Sequence, residues 1–543
     1  MKNKIAAVLF LCIVSVFPLL DLLNAGLPFG HDTPDHVARI ANFYQSLSEG
    51  NIIPRWAEKL NWGYGHPVLM FLYPLPSYLT SFIHTLGFSF VDSTKLTLAI
   101  AYVASVIAMY LWASAAFNKR VGIVSAILYG FAPYRFIDLY VRGAIGEHVA
   151  FVFPPLVLYF LRKRSFFGAS LSLAALILSH NAMAIMFLPI IGLYGLYLLF
   201  FEEKRKMLFT IHYSLFTILG FALSAFFWAP AFFEGKYTLR DIVTAGEFSD
   251  RFVPLTRFFY SPWTYGGSNE FSKSLGIAQW MGIVAAVGAM WRAKEKALKW
   301  FVCGGLLLLA GSIFFMTSWS FGIWNTFSIL QKFQFPWRLL SAAVFIAAIV
   351  GAMGLDFILG KIKRNRVFVY VGLVLFVILT TIPMWKAKSY SLKPESYYTG
   401  VYDSTTDTGE SSPIWSVRFM EHRPTAPLEI IEGQAEIAVL ERTSTIHGYN
   451  ISVSQRARFV ENTLYFPGWN IWANNVASDI QFQDPSYRGL MTFWLEPGNY
   501  TVRAEFGETK LRHVANIIGA IGVLVTGILL LFPLCRRRKK PYQ

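Results

Sequence analysis

The sequence predicts a polytopic α-helical membrane protein with one extracytoplasmic β domain near its C-terminus. Of its 543 residues, 55% are apolar and 17% aromatic, and the mean hydropathy is +0.45. Such values are typical of chains with many membrane-spanning helices. Long apolar segments recur up to residue 385 and again at 513–534, whereas residues 386–512 contain stretches in which polar and apolar positions alternate. The first pattern predicts helices, and the second predicts strands.

The positions of the basic residues explain the net charge of +16. About 23 of the 48 Lys and Arg residues lie in short segments between apolar stretches, with only about three acids among them. The rest of the chain is close to neutral. This distribution follows the positive-inside rule, so it indicates cytoplasmic loops and not a nucleic-acid-binding surface. The basic segments are 2–4, 119–120, 162–164, 204–206, 292–299, 361–366 and 536–540.

With these loops inside, we expect about twelve spans and both termini in the cytoplasm. The first span follows Lys2 and Lys4, and we interpret it as a signal anchor rather than a cleaved signal peptide. Segment 67–90 is apolar but rich in proline. Counting it as a span would reverse the sides of the basic loops, so we expect it to lie at the outer interface. The expected spans are 5–23, 95–116, 121–140, 146–161, 166–179, 183–201, 208–229, 275–291, 298–317, 338–359, 367–385 and 513–534.

These spans divide the chain into three parts. Residues 1–385 are the transmembrane module, which includes the extracytoplasmic loop 24–94. Residues 386–512 are the extracytoplasmic β domain, and 513–543 are the final helix with a basic cytoplasmic tail. Turn signals at 466–469 and 496–499 predict an antiparallel domain of the sandwich or jelly-roll type. The three cysteines form neither a disulfide framework nor a zinc spacing.

The loop after the first span carries an acidic motif, Gly30-His31-Asp32-Thr33-Pro34-Asp35-His36. It places two carboxylates and two imidazoles within six residues, and we expect Pro34 to keep them out of a regular helix. The catalytic candidates are Asp32 and Asp35. One of them would be a general base for an incoming hydroxyl or amine, oriented by the other residues. The alternative is that Asp35 only caps the helix that follows.

The same motif has the residue types of a metal site. Asp32, Asp35 and His36 are candidate ligands of a divalent cation such as Mg²⁺ or Mn²⁺. A zinc site that also includes His31 and His66 is a second alternative, although the spacing matches no known zinc pattern.

A further set of polar residues falls at the ends of spans on the outer side. A guanidinium group matches phosphate oxygens, and the natural anion at the outer leaflet is a lipid phosphate or pyrophosphate. The alternative for each arginine is a pair with a nearby acid, such as Asp138. Two glycines in the segment 142–148 allow close backbone approach at a span junction. The candidates for binding substrate or phosphate are Arg39, Arg55, His66, Arg142, Glu147, His180 and Arg338.

These motifs resemble known membrane proteins. The acidic loop after one span, with interfacial helices before the next, resembles the GT-C-type membrane glycosyltransferases. Residues 30–32, 54–56, 63–67 and 335–338 resemble the prokaryotic membrane protein family labelled 6-pyruvoyl-tetrahydropterin synthase-related, a label that we do not interpret as an activity. The β region, with its segment 465–469, resembles outer domains of YfhO-like relatives.

The resemblance implies a glycosyltransferase that moves a sugar from a polyprenyl-phosphate carrier to a lipid, glycan or protein acceptor at the outer leaflet. Asp32 would deprotonate the acceptor for an inverting displacement. Arg338, with Arg142 or Arg55, would neutralise the leaving phosphate. The β domain would bind the acceptor glycan or cover the site, and Glu410 would reach back toward it. Because Asp32-Thr-Pro-Asp35 replaces the adjacent acids or Asp-x-Asp of several families, dependence on a metal stays open.

Two other functions remain open at this point. A transporter or flippase for lipid-linked saccharides would carry polar residues in the middle of several spans and inverted repeats, and the sequence has few of the former and none of the latter. A non-catalytic scaffold for envelope assembly would tolerate Asp32→Asn. Nucleotide-driven work is not expected, because the chain has no phosphate-binding loop or dinucleotide fingerprint.

Overall fold

The computed structural model of the protein describes residues 2–266, 271–292, 295–361 and 366–537. Several basic residues assigned to cytoplasmic loops lie outside this part of the chain. They are Lys294, Lys363, Arg364 and residues 538–540.

Eight helices in the described part of the chain are long and apolar enough to cross a membrane. Three shorter apolar helices accompany them, at Phe166–Ser179, Ile277–Trp291 and Phe368–Met384. The eight long helices are Lys4–Leu23, Phe90–Ala116, Ile145–Arg162, Asn181–Phe201, Lys206–Leu223, Lys296–Met316, Pro336–Leu359 and Lys510–Leu529.

The expected span 121–140 is not one helix. The helix Lys119–Gly130 ends before Pro133, and a short helix Pro133–Phe136 and a π-helical turn Ile137–Arg142 follow it. The expected span 208–229 is also interrupted, since Lys206–Leu223 is followed by a separate helix Ala225–Phe233. Proline explains the first interruption, because it has no N–H to continue the helical hydrogen bonds.

The helix Leu340–Leu359 lies at the centre of the bundle. All of its residues from Leu340 to Leu355 are buried. It packs against the helices Ile277–Arg292, Lys119–Gly130 and Lys296–Met316. Its many Ala and Gly residues have small side chains, so neighbouring helices can approach it closely.

The loop 24–94 is mostly ordered by short elements. The acidic motif leads directly into the helix Thr33–Ser48, with Asp32 at the N-cap position. The expectation that Pro34 prevents a helix is therefore wrong, because the first turn has no N–H partner to lose and tolerates proline. Segment 67–90 forms two helices, Val68–Phe71 and Leu75–Thr85. The longer one has 11 residues and reaches only about 16 Å, too short to cross a bilayer.

The C-terminal region contains an antiparallel sheet. A two-stranded pair first joins Leu27–Pro28 to Tyr390–Ser391. The main sheet has six strands, and Ile446–Leu464 pairs along one edge with Leu428–Arg442 and along the other with two strands in succession. The strands are Leu428–Arg442, Ile446–Leu464, Trp469–Ala473, Val476–Ser478, Leu490–Leu495 and Gly498–Phe506.

The predicted antiparallel β domain is observed as six connected strands, while its division into two packed layers stays a prediction. The strand Ile446–Leu464 is long, with 19 residues. At about 3.3 Å per residue a strand of this length reaches roughly 60 Å, enough to hold two partner strands end to end. The predicted turns at 466–469 and 496–499 are confirmed, because each lies between or at the boundary of two strands.

Candidate functional site

The acidic motif is held in place by its backbone. The amides of His31 and Asp32 donate to the carbonyls of Val141 and Arg142, each at 3.0 Å. The motif therefore lies against the end of the π-helical turn Ile137–Arg142. Such turns are frequent at functional sites.

The two carboxylates of the motif differ in their surroundings. Asp32 is exposed, and its side chain makes no capping hydrogen bond. Asp35 lies in the first helical turn, so it is not the cap that one alternative predicted. Its Oδ1 accepts from the Tyr402 hydroxyl at 2.9 Å. Burial raises the pKa of Asp35, while the Tyr402 hydrogen bond and Arg39 act to lower it. The helix N-terminus favours negative charge at both positions.

One turn further along, His36 and Arg39 are buried together. Arg39 Nη1 lies 3.0 Å from His36 Nδ1, and Arg39 Nε donates to the Thr406 hydroxyl at 3.1 Å. Burial, and then the charges of Arg39 and Arg142, hold the pKa of His36 well below its usual value. His36 is therefore neutral at physiological pH, and Arg39 anchors the segment that contains Thr406.

Arg142 is occupied by acids. Its Nη1 lies 2.6 Å from both the Asp138 and Glu147 carboxylates and 3.2 Å from the Tyr134 hydroxyl. Its guanidinium also stacks on Trp337 at 4.8 Å. The sequence left open that each arginine pairs with a nearby acid, and this pairing is observed for Arg142. Arg142 and Glu147 are paired with each other, so neither presents a free charge to a ligand.

The two glycines of segment 142–148 allow the close approach predicted from the sequence. Gly143 has a φ of +67°, and a Cβ there would meet Thr33 of the acidic motif. A Cβ on Gly146 would overlap the ring of Tyr73. The span junction therefore packs directly against both the acidic motif and Tyr73.

Tyr73 is the central residue that the sequence analysis missed. Its ring stacks on His180 with centroids 4.8 Å apart. Burial raises the pKa of its phenol, and the surrounding charges of Arg39, Asp32, Arg338 and Arg142 act on it in both directions. One phenol therefore lies among the predicted acid and three of the predicted arginines. The only signal in the sequence was its position beside Pro74 in the interfacial segment.

A segment that precedes the β-sheet covers the acidic motif. We refer to residues 394–412 as the strap. Four strap residues each form a hydrogen bond with a different residue of the site. Glu410 accepts from Gln334 Nε2 at 2.5 Å. The other three pairs are Tyr402–Asp35 at 2.9 Å, Thr406–Arg39 at 3.1 Å and Ser412–His66 at 3.1 Å. The predicted return of Glu410 to the site is observed, and it is one of several such contacts.

A cavity of about 400 Å³ opens beside Tyr73, below the C-terminal part of the strap. Its volume is in the range of small-molecule sites. Its apolar lining residues come from helices of the bundle and include Ile185, Leu188, Phe221, Phe227, Trp228 and Phe232. Its polar lining residues include His180, Asn181, Arg240, Lys332, Gln334, Arg338 and Glu410.

Three polar residues that line this cavity have buried atoms without a hydrogen-bond partner among the described residues. Arg338 donates to the Phe333 carbonyl at 2.9 Å, but its Nε is buried and has no partner among the described residues. Arg240 Nε and Asn181 Oδ1 are also buried and have no partner among the described residues. Buried polar atoms normally have partners, so these atoms are available for hydrogen bonds to water or to a polar ligand.

Glu410 is the acid of the cavity. Burial raises its pKa and Asp407 raises it further, whereas Arg338 and Arg240 act to lower it. A raised pKa favours the protonated carboxyl, which can donate a hydrogen bond to an anion.

Two predicted binding residues are engaged elsewhere. Arg55 forms an ion pair with Glu508 at 2.7 Å and also donates to Asn516 at 2.8 Å. It therefore joins the loop 24–94 to the last helix. His66 is buried and bonds Ser412, and burial lowers its pKa to about 4. His66 positions the strap as a neutral group.

The predicted metal ligands are not gathered around one point. His31 Nε2 lies 2.7 Å from the Gly266 carbonyl, while His36 faces Arg39 and His66 faces Ser412. Within residues 2–266, 271–292, 295–361 and 366–537, no group of three or more His, Cys, Asp or Glu side chains could hold a metal ion. The five residues of the zinc alternative are therefore not assembled around one point in this arrangement. A divalent cation held by Asp32 or Asp35 together with a substrate phosphate needs no such cluster, so the divalent-cation site stays a prediction.

Solved structures of GT-C glycosyltransferases are similar to this chain at low identity. Arabinofuranosyltransferase AftD from Mycobacteria is 14% identical with a TM-score of 0.39, and the match covers 69% of this chain and 26% of AftD. Archaeoglobus fulgidus oligosaccharyltransferase AglB, in complex with an inhibitory peptide and a dolichol-phosphate, is 13% identical with a TM-score of 0.40, over 76% of this chain and 61% of AglB. ArnT from Cupriavidus metallidurans, bound to undecaprenyl phosphate, is 14% identical with a TM-score of 0.38, over 73% and 68%.

Sequence comparisons identify relatives more directly. An uncharacterized protein of Lactococcus lactis subsp. cremoris (strain MG1363) is 28% identical over 243 residues, which are 41% of this chain and 38% of that protein. This chain thus matches less than half the length of that relative. The family model described as "6-pyruvoyl-tetrahydropterin synthase related domain; membrane protein" matches residues 69–388, more than half of the chain. As the sequence motifs predicted, the chain belongs to this family of membrane proteins.

Proposed function

We propose that the protein is a membrane glycosyltransferase that takes a sugar from a polyprenyl-phosphate donor. The observation that carries the proposal is the cavity beside Tyr73, whose lining is partly apolar and partly basic. A lipid phosphate has an apolar prenyl chain and an anionic phosphate, and apolar residues together with Arg240 and Arg338 in one lining match both. The unpaired Nε atoms of these arginines supply donors of the geometry that phosphate oxygens accept.

The proposed reaction is a direct displacement at the anomeric carbon. Asp32 is the proposed general base, because its carboxylate is exposed and has no capping bond. Arg338 and Arg240 would stabilise the charge that develops on the leaving phosphate, and Glu410 would donate a hydrogen bond to it. Arg240 takes the role that the sequence analysis gave to Arg142 or Arg55, both of which are bound to acids. Attack from the face opposite the phosphate inverts the anomeric centre.

The proposed site faces the outside of the cell. The acidic motif, the strap and the cavity lie together, whereas the described basic pairs Arg162–Glu202 and Arg164–Glu203 connect other helix ends. The positive-inside rule assigns those basic ends to the cytoplasm. The donor and acceptor would then meet at the outer leaflet, where lipid-linked sugars need no soluble nucleotide.

The test is sugar transfer by purified protein. Wild type, Asp32→Asn and the control Asp479→Asn, an exposed aspartate of the β domain, would each receive a panel of radiolabelled polyprenyl-phosphate sugars with a membrane-lipid and glycan extract. We expect transfer by wild type and Asp479→Asn, and a loss of about 10²–10⁴-fold in Asp32→Asn. Transfer that survives in Asp32→Asn would assign the base to Asp35. A wild type that transfers sugar from no donor in the panel would contradict the proposal and favour a transporter or a scaffold.

A further inference from the structure

A second cavity, of about 470 Å³, opens along the N-terminal part of the strap. It is separate from the cavity beside Tyr73, with which it shares no lining residue. Its polar and aromatic lining residues include Tyr397, Tyr402, Asp403, Ser404 and Arg423. The strap therefore has one cavity at each of its ends.

The lining of this second cavity suits a saccharide and not a lipid chain. The rings of Tyr397 and Tyr402 lie edge to face with centroids 5.6 Å apart. Aromatic rings pack against apolar faces of a ligand while their hydroxyls remain available for hydrogen bonds. Hydroxyl, carboxylate and guanidinium groups complete the wall, and together they offer both donors and acceptors to sugar hydroxyls.

The charged groups of the cavity are available to a ligand. Arg423 lies 3.3 Å from Asp403, and both side chains are more than half exposed, at 58% and 54%. Exposed pairs of this kind contribute about 1 kcal/mol or less. A ligand with several hydroxyls can therefore replace the pair at little cost.

The cavity is joined to the acidic motif by one hydrogen bond. Tyr402 lines the cavity, and its hydroxyl donates to Asp35 Oδ1 at 2.9 Å. Asp32 lies one turn earlier, at the N-cap of the same helix. Because positions i and i+3 lie on the same side of a helix, an acceptor in this cavity would be close to the proposed base.

We propose that this second cavity binds the acceptor and that the acceptor is a saccharide. This inference rests on the proposed transfer reaction. An acceptor hydroxyl oxygen attacks the anomeric carbon of the donor and forms the new glycosidic C–O bond. The bond from that carbon to the phosphate oxygen breaks, its electron pair stays on the phosphate, and the hydroxyl proton passes to the Asp32 carboxylate. The acidic motif lies between the two cavities, because the junction 142–148 packs against both the motif and Tyr73 and the Tyr402 hydrogen bond joins the motif to the second cavity. The donor sugar and the acceptor hydroxyl would therefore meet at Asp32.

Saturation-transfer NMR with methyl glycosides tests the inference without any transfer reaction. The purified protein in detergent would receive methyl glycosides of hexoses, 6-deoxyhexoses and N-acetylhexosamines. Tyr397→Ala and Arg423→Ala alter exposed side chains of the cavity and leave the Asp35–Tyr402 hydrogen bond in place. Tyr500→Ala is the control, because Tyr500 lines a different groove, on the β-sheet.

We expect at least one glycoside to show saturation transfer in wild type and Tyr500→Ala, reduced five-fold or more in both cavity variants. Absence of transfer to every glycoside in wild type would overturn the inference. Equal signals in the cavity variants, or a loss only in Tyr500→Ala, would overturn it as well. Thermal melting followed by tryptophan fluorescence identifies a variant that has unfolded. If one cavity variant has unfolded, the signal of the other cavity variant tests the inference. If glycosides bind as expected but no polyprenyl-phosphate sugar is transferred, the proposed function fails while the saccharide site stands.

Discussion

His447→Gln is expected to weaken the junction between the loop 24–94 and the β-sheet. Four charged groups meet there: Glu58 from the loop, His447 and Glu461 from the sheet, all buried, and the partly buried Arg442, also from the sheet. His447 Nδ1 lies 3.0 Å from Glu461, and its Nε2 lies 3.4 Å from Glu58. Arg442 lies 2.7 Å from Glu58 and 3.0 Å from Glu461. With a protonated histidine the cluster has two positive and two negative charges.

The pKa of His447 gives the size of the effect. Burial acts to lower it, but Glu58 and Glu461 outweigh burial and raise it to about 9 from the ordinary 6.5. That difference corresponds to roughly 3 kcal/mol of stabilisation. Because the folded pKa is the higher one, the stabilisation is fully present below pH 6.5 and is lost as the pH rises through 9. Glutamine has no charge, so the variant loses the stabilisation at every pH and leaves a buried acid uncompensated.

Thermal unfolding in detergent, followed by tryptophan fluorescence at a fixed scan rate, measures the stabilisation that protonated His447 provides. Trp56 donates to Glu58 at 3.3 Å, and Trp469 lies 5.0 Å from the His447 ring, so the signal reports on the junction. We expect the wild-type melting temperature to fall between about pH 7 and 9.5, and the fall to be mostly absent in His447→Gln, which melts lower at pH 7. The exposed His422→Gln is the control. An identical pH dependence in wild type and His447→Gln would refute the reasoning.

Three further predictions concern the site itself. Tyr402→Phe removes a donor that lowers the pKa of Asp35, so we expect the Asp35 pKa, followed by carboxyl ¹³C NMR of aspartate-labelled protein, to rise by about one unit; an unchanged pKa would contradict the contact. Gly146→Ala places a methyl group against the Tyr73 ring, and at about 1–3 kcal/mol of overpacking we expect at least a ten-fold loss of transfer in protein that still inserts. Lys273 is buried, its amine has no hydrogen-bond partner among the described residues, and burial lowers its pKa to about 6. Lys273→Met should therefore raise the melting temperature at pH 7 by a few degrees, and a lower value would indicate a partner for the amine.

Hydropathy and charge distribution predicted the helical bundle because they depend on properties that each segment carries by itself. Most expected spans correspond to apolar helices, and the errors occur where a local rule has an exception. Pro34 was expected to prevent a helix, but it occupies the first turn, where proline is tolerated. The pairing of one long strand with two partners along one edge was not predicted, because alternation along a strand does not say how many partners that strand holds.

The site was predicted in part for a related reason. Asp32, Asp35 and Arg338 stood out through local composition, and each lies near Tyr73 or the strap. Tyr73 itself and the strap residues Tyr402 and Thr406 could not be found this way. Their roles come from contacts between residues far apart in sequence, as in Tyr73 with His180 and Thr406 with Arg39, the latter at a separation of 367. The same limit hid the partners of Arg55, which are Glu508 and Asn516. The acids on Arg142 are close in sequence, and pairing with Asp138 was one of the alternatives that the sequence left open.

Native mass spectrometry of lipid binding tests the central claim, that the cavity beside Tyr73 holds a lipid phosphate. The purified protein would be titrated with undecaprenyl phosphate and, separately, with the uncharged polyprenol. Arg338→Gln combined with Arg240→Gln removes the two guanidinium groups whose Nε atoms have no partner among the described residues, and Arg456→Gln, an exposed arginine of the β-sheet, is the control. We expect one bound undecaprenyl phosphate in wild type and Arg456→Gln, weakened at least ten-fold in the double variant, and much weaker binding of polyprenol. Equal binding by the double variant, or equal binding of the two lipids, would contradict the account.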